Sequence, residues 1–119
     1  MPDAGEVVTA DFVGATGVKR RPAVVVTSSL YHQHRPDIVL GVLTTQIDSA
    51  TTPLDYVLQD WAAAGLRQPS AFRAYFSMAE RSDVKVIGRL SDRDWAEIQE
   101  RLKRAFGVGP SRPSPNTPP

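Results

Sequence analysis

Short runs of β-branched and aromatic residues, separated by turn-forming residues, fill most of the chain before one helical stretch. Runs of this length and composition predict strands. Because helices do not alternate with the strands, a doubly wound α/β fold is disfavoured, and the pattern predicts a strongly bent antiparallel barrel. The six predicted strands are Glu6–Phe12, Ala23–Thr27, Ile38–Leu43, Leu54–Leu58, Ala71–Phe76 and Val84–Ile87.

One helix is predicted near the end of the chain. Ser91 is a candidate N-cap, and Asp94 follows it at capping-box spacing, so this aspartate needs no catalytic explanation. Gly107 is a natural residue to end the helix, and basic residues crowd its last turns. Apolar residues recur at helical spacing on one face: Trp95, Ile98, Leu102, Ala105 and Phe106.

The chain has 119 residues, which is the size of one domain. Its last segment, residues 107–119, holds five of the ten prolines and a single charged residue, Arg112. Such a composition favours neither helix nor sheet. We therefore expect a single domain over residues 1–106 and a disordered proline-rich tail over residues 107–119.

Composition excludes several classes of function. There is no cysteine, so disulfides, thiol nucleophiles and cysteine-ligated metals are excluded, as fits a reducing cytoplasm. Two histidines alone rarely form a metal site, and His32 and His34 are expected to be ordinary surface residues of a polar loop, Ser28–Asp37. The apolar runs are too short to cross a membrane, and the first residues do not resemble a secretory signal. The net charge is only +1, so a polyanion would need a local patch.

Three cations, Lys19, Arg20 and Arg21, lie between a glycine-rich loop and a predicted buried strand. Pro22 favours an extended backbone at Arg21, and strand alternation then sends Arg20 and Arg21 to opposite faces. An arginine at the mouth of a groove suits a phosphate, because its planar fork matches two oxygens. The alternative is a hairpin tip that these charges keep soluble.

Two further segments could bind a nucleic acid. Thr44, Thr45 and Gln46 end a strand with hydrogen-bonding side chains that suit a phosphate, although β-propensity and a turn would also explain them. Arg73 and Tyr75 share one face of a strand and would offer a cation and a ring to single-stranded nucleic acid. The alternative is a half-buried strand whose arginine packs along its neighbours.

In this order, these segments resemble the MazF/PemK family of toxin–antitoxin ribonucleases over about Gly5–Phe106. The resemblance lies in the order and spacing of the segments rather than in one motif. The matching segments are Gly5-Glu6-Val7-Val8 with Asp11-Phe12, Arg20-Arg21-Pro22-Ala23-Val24-Val25-Val26, Leu43-Thr44-Thr45-Gln46, Ser70-Ala71-Phe72-Arg73 and Ile87-Gly88-Arg89-Leu90-Ser91.

The resemblance implies an SH3-like barrel with a C-terminal helix, paired as a homodimer in the cytoplasm. It implies a cofactor-free, metal-independent endoribonuclease that cuts single-stranded RNA, with mRNA as the expected target, and that is held by a cognate antitoxin. Arg21 and Thr44 match the residues that flank the scissile phosphate, and Arg73 matches an arginine that assists in some members. Lys19, Arg20, Thr45, Gln46 and Tyr75 complete the expected RNA contacts.

Two departures from the family pattern stand out. The loop Gly14-Ala15-Thr16-Gly17 lacks the serine and glutamate common there, and Tyr75 replaces an aspartate found in some members. Two alternatives therefore stay open: a non-catalytic toxin that binds gyrase like CcdB, and a degenerate member that binds only an antitoxin.

Overall fold

The computed structural model describes residues 2–108. They form a six-stranded curled antiparallel sheet with a C-terminal helix, so the predicted fold class is confirmed. The strand order is β4-β5-β3-β2-β1-β6. The elements are β1 (Glu6–Gly14), β2 (Gly17–Val25), α1 (Ser29–His34), β3 (Asp37–Thr44), β4 (Tyr56–Val57), β5 (Ala71–Glu80), β6 (Lys85–Arg89) and α2 (Asp92–Ala105).

The first two strands form a longer hairpin than the sequence predicts. Pairing between β1 and β2 runs from Val7–Val24 to Gly14–Gly17, so β2 begins well before Ala23. Gly17 has a φ of 112°, a conformation that favours glycine, and it closes a two-residue turn. The cations before Pro22 therefore lie within a strand and not in a loop. Conversely, β4 is shorter than the predicted Leu54–Leu58, because only its two residues pair with β5.

The predicted polar loop after β2 contains a short helix, α1. Ser28 caps it by accepting a hydrogen bond from the Tyr31 amide at 3.3 Å. The expectation of two surface histidines is wrong for His32, which is only 2% exposed, whereas His34 is exposed. The reason is tertiary: the Nε2 atom of His32 lies 2.7 Å from Oγ1 of Thr27, which also accepts a hydrogen bond from the β3 backbone.

Two apolar clusters lie on the two faces of the sheet. On one face, Val24, Leu43 and Phe72 pack with Ile98 of α2. On the other face, Ala23 and Val25 of β2 pack with residues of β1 and β3. Side chains of β2 that alternate with these two sets therefore face either the α2 side or the opposite side of the sheet.

Helix α2 is as predicted, with Ser91 at the N-cap accepting from the Asp94 amide at 3.3 Å. Asp94 is fully buried, and its carboxylate accepts hydrogen bonds from the Tyr56 hydroxyl at 2.6 Å and from the Gln59 and Asp60 amides. Burial, and next the bond to Asp94, raise the pKa of Tyr56 to about 12. This carboxylate thus fixes the segment after β4 to the helix. Of the predicted tail, residues 109–119 lie outside the described residues.

Candidate functional site

A groove of about 300 Å³ lies on the sheet face opposite α2. The β1–β2 hairpin forms one wall, β5 forms the other, and Val42 of β3 lies between them. The residues that line it are Phe12, Val13, Gly14, Ala15, Thr16, Gly17, Lys19, Arg21, Val42, Arg73 and Tyr75.

Three cations line this groove, and no carboxylate does. Within residues 2–108, the side chains of Lys19 and Arg21 make no hydrogen bond or ion pair. The charge of Arg73 acts on Asp55: burial of that carboxyl works against ionisation, but hydrogen bonds from Thr52 and Ala74 and this charge hold the pKa of Asp55 below its ordinary value. Guanidinium and ammonium groups without protein acceptors make the groove a site for an anion.

Arg20 lies on the other face, as strand alternation predicts. Its guanidinium donates to Oδ1 of Asp11 at 3.2 Å, to the Thr9 carbonyl at 3.1 Å and to the Asp83 carbonyl at 3.4 Å. These contacts connect the hairpin to the segment before β6. Of the two neighbouring arginines, only Arg21 lies in the groove.

The three polar residues at the end of β3 are separated. If the β2–β3 register continued beyond Ala23–Val42, Thr44 would lie opposite Arg21. The hydroxyl oxygen of Thr44 accepts from the Gln46 amide at 3.1 Å, and Gln46 itself is exposed. Thr45 points to the α2 side of the sheet, where it lines a different pocket together with Arg20.

The predicted pairing of Arg73 and Tyr75 on one strand face is confirmed. Both are exposed and line the groove, Tyr75 being 67% exposed, whereas Phe72 on the opposite face is fully buried. Sequence reasoning missed Phe12 and Val42 as groove residues. Val42 enters through the β2–β3 pairing, which no local pattern in the sequence reveals.

A second depression, of about 750 Å³, lies at the other end of the β3–β5 pair. Arg35 lines it together with Asp37 and Glu80, so the charges there are mixed. His32 and His34 lie on α1 and do not line the groove. Within residues 2–108, no three histidine or acidic side chains are placed to hold a metal ion, and no helix is long and apolar enough to cross a membrane.

Several solved structures share this fold. An endoribonuclease in complex with its cognate antitoxin, from a mycobacterial species, is 18% identical with a TM-score of 0.72, covering 93% of this chain and 100% of that one. The MazE–MazF structure from Deinococcus radiodurans (form III) is 21% identical with a TM-score of 0.70, covering 91% and 98%. The Mycobacterium tuberculosis toxin MazF-mt6 is 20% identical with a TM-score of 0.69, covering 87% and 98%.

A comparison with curated protein sequences found no match. The family model of PemK-like, MazF-like toxins of type II toxin–antitoxin systems matches residues 3–106, almost the whole described chain. The resemblance that the sequence segments suggested is therefore confirmed. This chain belongs to the MazF/PemK family of toxins of type II toxin–antitoxin systems.

Proposed function

We propose that this chain is an endoribonuclease that cleaves single-stranded RNA at short sequence motifs without a metal ion. The observation that carries the proposal is the groove, in which Lys19, Arg21 and Arg73 converge without a carboxylate. A single-stranded phosphate chain would supply the acceptors that these side chains lack. The exposed ring of Tyr75 beside them offers a surface on which a base can stack.

In the proposed reaction, the 2′-oxygen of the RNA attacks the adjacent phosphorus, and the bond from phosphorus to the 5′-oxygen breaks. The products are a 2′,3′-cyclic phosphate and a 5′-hydroxyl. Arg21 stabilises the extra negative charge of the phosphorane, because its fork can donate to two phosphate oxygens at once. Thr44 donates a hydrogen bond to the same phosphate, and Lys19 and Arg73 hold the neighbouring phosphates.

Two protons must move in this reaction. The 2′-hydroxyl loses its proton to solvent, and the departing 5′-oxygen gains one. His32 is ruled out as the donor by its position on α1, buried against Thr27. We assign the second proton to the phenol of Tyr75, because it lies in the groove and carries a neutral O–H group.

The proposed partners follow from the charge of the groove. A cognate antitoxin would lay an acidic, partly disordered segment over it and compete with RNA for Arg21 and Arg73. Two of the structures that share the fold are complexes of a toxin with its antitoxin. We also propose that the chain works as a homodimer in the cytoplasm, with mRNA as its target.

The deciding experiment incubates purified protein with mixed-sequence single-stranded RNA in EDTA and identifies both ends of every product. We expect discrete cuts that leave a cyclic phosphate and a 5′-hydroxyl, and no cuts with Arg21→Ala. Arg35→Ala is the matched control, since it also removes one exposed positive charge but lies outside the groove. Intact RNA across many sequences would contradict the proposal and favour a non-catalytic toxin, whether CcdB-like or degenerate.

A further inference from the structure

Strands β2 and β3 separate at the point where the site residues lie. Their pairing extends only from Val25–Leu40 to Ala23–Val42. Beyond it, β2 continues through Arg21 paired with β1, and β3 continues to Thr44 paired with β5. We call this opening between β2 and β3 the fork. It lies where the groove on one face meets the other face of the sheet.

A second pocket of about 570 Å³, the back pocket, lies on the α2 side of the fork. Its lining includes Arg20, Thr45, Arg67, Gln68 and the hydroxyl-bearing Ser70, and it contains no carboxylate. Within residues 2–108, the side chain of Arg67 makes no hydrogen bond or ion pair. The back pocket therefore resembles the groove in its charge and in its free guanidinium.

One wall of the back pocket is held rigidly by backbone packing. A Cβ atom at Gly65 would lie 2.3 Å from the Ile87 carbonyl oxygen, and one at Gly88 would lie 2.0 Å from that of Ala64. The chain at Ala64–Gly65 is thus pressed directly against β6. Arg67 and Gln68 follow this fixed segment, so their backbone has a defined position beside Thr45.

We propose that the back pocket binds a further nucleotide of the same RNA strand, which crosses the sheet at the fork. This inference rests on the proposed function and extends it to a second subsite. Arg67 binds the phosphate of that nucleotide through its free fork, while Thr45 and Gln68 offer a hydroxyl and an amide to the base edge. The crossing also explains why the polar residues of the sequence lie on both faces: Arg21 and Arg73 meet one part of the strand, and Thr45 meets the next.

The test uses the full chain and fluorescein-labelled, random-sequence 2′-O-methyl RNA, in which the attacking hydroxyl is blocked. Fluorescence anisotropy measures binding of probes of about four and about ten nucleotides, within the range of known single-strand sites. We expect Arg67→Ala to weaken binding of the long probe about fivefold, as for one lost hydrogen-bonded contact, and to leave the short probe unchanged. For the long probe, the slope of log affinity against log salt should fall by about 0.7, the value for one phosphate contact with a single strand.

Arg35→Ala again serves as the control for charge, and the melting temperature of each variant reports the fold. Arg67→Gln, which keeps a long polar side chain, should reproduce the loss of salt dependence. Long-probe binding that is the same in Arg67→Ala and in the parent would overturn the second subsite. Equal weakening of both probes would also overturn it, since the effect would then be general. Because the probe cannot be cut, a protein that binds in this length-dependent way but leaves natural RNA intact would refute the nuclease and keep the subsite.

Discussion

Arg20 and Arg21 are neighbours in one strand, yet the structure places them in different surroundings. Arg20 donates to the Asp11 carboxylate and to two backbone carbonyls, so its charge is used within the protein. Arg21 has no protein acceptor within residues 2–108 and lies beside Lys19 and Arg73. The difference teaches that the arrangement of acceptors, and not the residue type, separates a structural cation from one available to a ligand.

The same contrast holds between the two sides of the sheet. On the α2 side, the buried carboxylate of Asp94 receives three hydrogen bonds from Tyr56, Gln59 and Asp60. Asp60 in turn accepts from Ser91 and from both sides of the Arg93 fork, and these bonds, those of Arg93 first, lower the pKa of Asp60 to about 2. Polar groups there stabilise the fold, whereas those in the groove are left for a ligand.

The sharpest test of the contrast compares Arg21→Ala with Arg20→Ala. We expect Arg21→Ala to lower the cleavage rate about 10³-fold, as for loss of a donor to a transition-state oxyanion, with no change in melting temperature. Arg20→Ala should lower the rate less than about tenfold and cost about 1 kcal/mol or less of stability, since its ion pair is exposed. Rates and urea unfolding of both variants are the measurements, and equal rate losses would remove the distinction.

Asp94→Asn tests the side on which polar groups are satisfied. The amide cannot accept from all three donors as a carboxylate does, so we expect a loss of about 2 kcal/mol in the free energy of unfolding. Urea unfolding measures this loss. At a temperature where the variant stays folded, its cleavage rate should match that of the parent. A large rate loss in the folded variant would show that the two sides are coupled.

Tyr75→Phe sharpens the proposed chemistry of the groove. The ring remains for stacking, but the phenolic proton is lost, so we expect the rate to fall about 100-fold, the lower range for acid–base catalysis. Binding of the uncleavable 2′-O-methyl probe should not change. Tyr75→Ala should weaken that binding as well. A phenylalanine variant as fast as the parent would leave Lys19 as the proton donor.

The smallest effect is expected from His32. Burial, and next the charge of Arg81, lower the pKa of His32 below 6.5, and the charge of Asp3 opposes them only in part. The unfolded chain therefore binds a proton more readily, and the free energy of unfolding should fall as the pH drops below about 6.5. Asp55 and Asp60 have lowered pKa values and do not titrate in this range. His32→Gln should flatten the dependence, measured by urea unfolding from pH 7.5 to 5.5; an unchanged slope would contradict the assignment.

Local patterns in the sequence were enough for the fold class, for α2 with its Ser91 cap, and for the split of Arg20 from Arg21. Each depends on residues near one another in the chain, through helical period, capping or strand alternation. They also carried the resemblance to the MazF/PemK family, which the match over residues 3–106 confirms.

Only the tertiary structure decided which polar side chains are satisfied. Burial of His32, the acceptors of Arg20, the entry of Val42 into the groove and the position of Arg67 beside Thr45 all depend on contacts between distant segments. Strand pairing sets these contacts, and the register that brings Ala23 opposite Val42 cannot be read from either strand alone. For that reason the candidate residues were visible in the sequence, while their division between two faces of a forked sheet was not.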